Sequence, residues 1–192
     1  MATDVTRTRL LDAAERILES TPYEQLKVRA VCSEAGVNPA AVHYHFGSRE
    51  GLVTTLLQER LGPVWADPLT ELSTRDTSVG EIVDRILEPV TRLAEDPALA
   101  RHLRLLGRFV LTHGDLDWTD TWFRTEVWVA LLRRVVDVDE ATARRRWRFA
   151  FTVLITELSN PTPVSTATVA ALADFLTAGL SGPASTSTEG PR

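Results

Sequence analysis

Two histidines two residues apart, His43 and His45, are the first side chains in this chain whose types could do chemistry. A His-x-His pair suggests a metal ion, but on a helix the i and i+2 positions point to different faces and do not readily share one ion. Beside Tyr44 they read instead as hydrogen-bonding groups for phosphate oxygens. Cys32 is the single cysteine, which excludes an internal disulfide and a CxxC metal site. Its apolar neighbours make it a small buried hydrophobe rather than a redox switch, and the simplest compartment is the cytoplasm with the thiol reduced. Arg101, Arg104 and Arg108 form one cationic cluster and Arg144, Arg145, Arg146 and Arg148 another. Both are expected on solvated faces beside acidic neighbours. The patterns GxSxG, GxxxxGK[ST] and HExxH do not occur, so the expectation is no enzyme, no cofactor and no metal.

These residues need elements to hold them, and the periodicity is helical nearly throughout. Leu10, Leu11, Ala14, Ile17 and Leu18 recur at helical spacing and predict the first helix, which Pro22 ends. A short second helix is expected over Val28 to Ala35, with Gly36 where a left-handed residue ends it. Asn38-Pro39 caps and opens a third helix running to about His45. Ser48 caps a fourth from Arg49, which Gly62-Pro63 should kink or interrupt. Residues 73–78 read as a loop. Further helices are expected at 79–94, 97–113, 118–136, 139–158 and 164–180, with Asp96-Pro97 as a second cap-plus-proline start and Asn160-Pro161-Thr162-Pro163 as a break. The Ser/Thr/Gly/Pro-rich tail 181–192 predicts disorder. The fold class is all-α, about nine helices.

Charge alone does not suggest nucleic acid. The chain of 192 residues carries a net −5, with residues 1–60 holding seven Lys/Arg and eight Asp/Glu. The local pattern says otherwise. Two helices of about two turns flank the tight turn Gly36-Val37-Asn38, a helix-turn-helix arrangement that offers its second helix to the DNA major groove. Val31, Ala35, Val37, Val42 and Phe46 can turn inward, leaving Pro39, Ala40, Ala41, His43, Tyr44 and His45 outward or at the edge. Small residues at 40 and 41 allow close approach to the bases. Tyr44 and His45 can donate to phosphates, and Arg49 sets a cation beside the fourth helix's N-terminus, whose dipole favours an anion.

The run VRAVCSEAGVNPAAVHYHFGSREGL at 28–52, with Leu11-Asp12-Ala13-Ala14 and Tyr23 before it, resembles the N-terminal signature of TetR-type transcriptional regulators over about residues 7–57. The resemblance implies a homodimeric, effector-responsive regulator, most often a repressor. It places DNA contacts on Lys27, Arg29, Pro39, Ala40, Ala41, His43, Tyr44, His45 and Arg49. Three positions depart from the usual pattern: Lys27 stands where a capping Thr or Ser is common, His43 where Tyr is common, and Arg49 where Lys is common. It further implies a DNA-binding domain over 1–60 (motif about 27–46) and a regulatory and dimerisation domain over 61–180. Dimer contacts, by the same analogy and by amphipathicity, fall on Leu154, Leu158, Val169, Leu172, Phe175 and Leu176.

One short helix makes few contacts, so a two-fold dimer on a palindrome with half-sites ~34–36 Å apart is expected. All five tryptophans, 65, 118, 122, 128 and 147, lie outside the helix-turn-helix. They suggest core packing or an effector cavity for an apolar or aromatic small molecule, with Phe109, His113, Trp122, Trp147 and Phe151 as the candidate contacts. No apolar run approaches the ~18 residues of a membrane span. Two other readings fit the same elements: a helix-turn-helix dimer that senses nothing, and a protein-interaction module that keeps the fold without DNA.

Overall fold

The computed structural model describes residues 2–92, 95–113, 116–160 and 164–183. Among these residues the fold is all-α. The helices are α1 (Ala2–Leu18), α2 (Val28–Ala35), α3 (Ala40–Phe46), α4 (Arg49–Thr74), α5 (Val79–Thr91), α6 (Pro97–Thr112), α7 (Thr125–Val135), α8 (Glu140–Ser159) and α9 (Thr166–Ser181), with 3-10 turns at Tyr23–Gln25 and Thr121–Phe123. The loop residues Pro161–Pro163 and the tail beyond 183 lie outside the described residues, and so does most of the segment expected to be disordered.

Short polar side chains start the helices where the sequence places them. Ser48 Oγ accepts from Gly51 N, Ser78 Oγ from Glu81 N, Asp96 Oδ1 from Leu99 N, Asp139 Oδ1 from Thr142 N and Ser165 Oγ from Thr168 N. Each satisfies an amide that has no partner within its own helix. One core runs through the molecule, from Leu10, Ala14 and Leu52 at one end to Leu103, Trp147 and Leu176 at the other. The helix-turn-helix is fastened to the rest by ion pairs and a hydrogen bond from α1. Arg60 of α4 reaches Asp12 and Glu15 at 2.8 Å each, and His102 of α6 meets Glu15 at 2.8 Å.

Three expectations are corrected. First, Gly62-Pro63 does not interrupt α4, which continues past Pro68. Burial of Leu61, Leu69 and Leu72, with the Trp65 indole donating to the Ile86 carbonyl at 3.2 Å, holds the helix where proline removes a backbone bond. The expected boundary at residue 60 therefore falls inside one helix. Second, the helix expected from 118 starts only at Thr125. Residues 116–124 form a loop pinned by Gln58, whose side-chain oxygen accepts from the amides of Thr119 (2.6 Å) and Asp120 (2.7 Å). Third, Leu154, Leu158, Val169, Leu172 and Leu176 are buried within the single chain, because α9 packs on α5 and α8. The large apolar side chains these helices leave in solvent are Phe149 (60% exposed) and Phe175 (62% exposed).

Candidate nucleic-acid interface and aromatic cavity

The turn between α2 and α3 follows from its sequence. Gly36 sits at φ 63°, ψ 41°, a left-handed geometry that a side chain disfavours. The amides of Gly36 and Val37 bond back to Ser33 O (3.1 Å) and Cys32 O (2.9 Å), closing α2. Asn38 Oδ1 then accepts from Ala40 N at 2.8 Å and opens α3. Val42 is the buried anchor of α3, and Ala41 and Phe46 pack against the same core. Ala41 is thus turned partly inward, at the edge of the outward face.

Pro39, Ala40, His43 and Tyr44 are exposed, Tyr44 by 78%, and Lys27 and Arg29 are exposed at the start of α2. His45 is half-buried, with its ring edge-on to Tyr44 at 5.0 Å. His43 Nδ1 donates to the Gly47 carbonyl at 2.6 Å, which fixes the ring and leaves Nε2 for an outside group. The hydrogen-bonding groups of this face are few, and it carries no Lys or Arg of its own. Of the seven cations in residues 1–60, Arg7 pairs with Glu59, Arg16 with Glu34, Arg49 with Glu50, and Arg60 with Asp12 and Glu15. Lys27, Arg29 and Arg9 make no ion pair among the described residues.

Arg49 is more engaged than the sequence suggests. Its guanidinium lies 4.6 Å from the centroid of the Tyr23 ring, donates to Leu26 O at 3.4 Å and meets Glu50 Oε1 at 3.2 Å. Tyr23 Oη donates to the same Glu50 oxygen at 2.9 Å. Burial, then the Glu50 contact, push the Tyr23 phenol up to about 12. Glu50 moves the opposite way, down to about 2. The bond from its own backbone amide in the first turn of α4 contributes most, against some burial, and Tyr23, Ser48 and Arg49 add to it. A carboxylate held below its ordinary 4.5 stabilises the fold above that pH, and the contribution is lost as pH falls toward about 2. Glu50→Gln should therefore flatten the loss of stability between about pH 4.5 and 2, read from urea midpoints across that window; an unchanged acid limb would show that other carboxylates carry it.

The two aromatic groups expected in a pocket on α6 belong to this network. Phe109 packs edge-on against Tyr23 at 4.7 Å, and His113 against Tyr23 at 4.9 Å and Phe109 at 4.6 Å. They form an aromatic joint between α6 and the helix-turn-helix, and neither is among the residues that line the aromatic cavity described next. The cavity lies elsewhere. It measures about 650 Å³, is open on one side, and is lined by α4, α5, α6, the 116–124 loop, α7 and α8. Trp122 and Phe151 line it, together with Trp65, Trp118 and Trp128. Trp147 stacks behind Phe151 at 5.1 Å and is itself buried, its indole N–H meeting no partner among the described residues. Sequence reasoning missed Trp65, Trp118 and Trp128 as cavity residues because a pocket wall built from five helices and a loop has no local signal. No group of three metal-ligating side chains occurs among the described residues, and no described helix is long and apolar enough to cross a membrane.

A helix-turn-helix with an exposed second helix, joined to an all-α body that holds an aromatic cavity, defines a class. Residues 10–56 match the family model described as "Bacterial regulatory proteins, tetR family". The HTH-type transcriptional regulator UidR of Escherichia coli (strain K12) is 30% identical over 81 residues, 41% of this chain and 41% of that protein. The HTH-type transcriptional repressor BdcR of the same strain is 29% identical over 82 residues, 43% of this chain and 41% of that protein. The match thus spans about two fifths of these curated relatives. Solved structures match over nearly the full length. The TetR family repressor AlkX from Dietzia sp. strain DQ12-45-1b gives a TM-score of 0.57 at 18% identity, covering 91% of this chain and 94% of that one. FadR from Bacillus subtilis, in complex with stearoyl-CoA, gives 0.60 at 17% identity, covering 90% and 98%. These structures share the fold.

Proposed function

We propose that this chain is a cytoplasmic, homodimeric transcriptional regulator that reads a palindromic operator through α3 and is released from it by a small apolar or aromatic effector. The observation that carries the reading is the outward face of α3, with Tyr44 78% exposed, on a segment that matches the tetR-family domain. Lys27, Arg29, Pro39, Ala40, His43, Tyr44 and His45 make the DNA contacts in this reading, with Ala41 at their edge. Arg49 orients the start of α4. Residues 1–60 act on DNA and 61–180 sense and dimerise, with α4 shared between them. Phe149 and Phe175 supply the apolar contact between protomers.

The proposed switch uses contacts that join the cavity to α4. The loop carrying Trp118 and Trp122 hangs on Gln58 of α4, nine residues beyond Arg49 or about 13 Å along the helix. An effector that prefers the cavity with this loop displaced moves α4, and with it the turn that holds α3. Its effect on DNA affinity equals its differential affinity for the two arrangements.

Selection of binding sites from random duplex DNA tests the reading. A palindrome should be enriched. With two or three free cations per protomer, the affinity of the dimer should fall with salt at a logarithmic slope of roughly −4 to −5. Tyr44→Ala should weaken binding without moving the melting temperature, since its side chain is exposed. Failure to enrich any sequence at low salt would sink the proposal.

A further inference from the structure

The cavity has a charge polarity along α8. Arg144, Arg148, Phe151, Ile155 and Leu158 alternate at spacings of four and three residues and all line it, so they form one stripe on the helix. The stripe passes from cationic through aromatic to aliphatic. From Arg148 to Leu158 it covers about 15 Å, and from Arg148 to Ile155 about 10 Å. Aromatic and aliphatic groups, among them Trp118, Trp128 and Ile86, form the facing walls, and no carboxylate is among the described lining residues.

The two arginines are not equivalent. Arg144 is neutralised by Glu140 at 3.0 Å and Glu126 at 3.5 Å. Arg148 makes no ion pair among the described residues, and its guanidinium rests 5.2 Å from the Phe149 ring centroid. It is a cation without a counter-charge at the rim of an apolar space.

We propose that the cavity takes an amphipathic monoanion, an apolar or aromatic body about 10–15 Å long with a carboxylate at one end that pairs with Arg148. The inference rests on reading the cavity as the effector site. A neutral ligand of the same shape would leave Arg148 unpaired, and a cationic one would meet it as a like charge.

The test uses decanoate, decanol and decyltrimethylammonium as probes on the full chain, titrated at neutral pH by tryptophan fluorescence. Four of the five tryptophans line the cavity and the fifth stacks behind it. Decanoate should bind roughly tenfold or more tightly than the other two. Arg148→Gln, at an exposed position, should erase that preference while leaving decanol unchanged, and Arg144→Gln should do less. Equal binding of the three probes, no binding of any, or a preference that survives Arg148→Gln would overturn the proposal. Release of DNA is read separately. Decanoate that binds through Arg148 and leaves the operator occupied would uphold the ligand class and remove the regulatory reading. Release by decanoate that does not depend on Arg148 would do the reverse.

Discussion

Alanine at position 51 should cost on the order of a hundredfold in DNA affinity while lowering stability by about 1–3 kcal/mol. Gly51 lies in the first turn of α4, and its amide donates to the Ser48 cap at 2.9 Å. The chain leaving α3 folds back so closely that a Cβ at 51 would overlap the Phe46 carbonyl oxygen and sit 3.2 Å from its carbon. The obstacle is backbone, which cannot swing aside as a side chain does. The turn at Phe46-Gly47-Ser48 must open, and α3 must shift relative to α4. In the proposed complex, base-edge and phosphate contacts depend on that placement, and the proposed dimer would lose them in both half-sites. The helix-forming advantage of alanine over glycine, about 1 kcal/mol at most, does not offset the overlap. Thermal melting and fluorescence anisotropy with the selected operator check both parts. Wild-type DNA affinity in Gly51→Ala would mean that the turn accommodates the methyl group and that α3 is positioned by its core contacts alone.

Tyr23→Ala should destabilise the protein by about 3–5 kcal/mol, the range for truncating a large buried aromatic. Tyr23 is 4% exposed and sits where the helix-turn-helix meets α6. Truncation removes its edge contacts with Phe109 and His113, takes away the ring beneath Arg49, and leaves Glu50 without the phenol that donates to it. Tyr23→Phe separates packing from hydrogen bonding. It keeps the ring and loses only the bond to a half-exposed carboxylate, at about 1 kcal/mol. Urea unfolding of the two variants should differ accordingly. If Tyr23→Phe were as damaging as Tyr23→Ala, the hydroxyl bond would dominate and the aromatic joint would matter little.

Both predictions concern placement of α3 rather than what α3 touches. The outward groups of α3 are few and include no Lys or Arg, so their geometry counts for more than electrostatic attraction. That geometry is held by the Ser48 cap, the close turn at Gly51 and the joint around Tyr23. Two routes lead from there to the body of the molecule, one through Phe109 on α6 and one along α4 to Gln58.

The amino-acid sequence by itself determined every element whose signal is local. Gly36, Asn38 and Ser48 set the turn and the caps because each needs only its own few neighbours. The helical period of the apolar residues determined the all-α class for the same reason. It also singled out Val42 as the anchor of α3, and so the face left outward. What the tertiary structure alone decided are contacts between segments far apart in the chain. Phe109 and His113 pack on Tyr23, and Trp65 and Trp118 line one cavity. Packing carried α4 through Pro63, and a hydrogen bond to Gln58 turned residues 116–124 into a loop. Apolar periodicity says that a side chain is buried; it carries no information about which distant helix buries it.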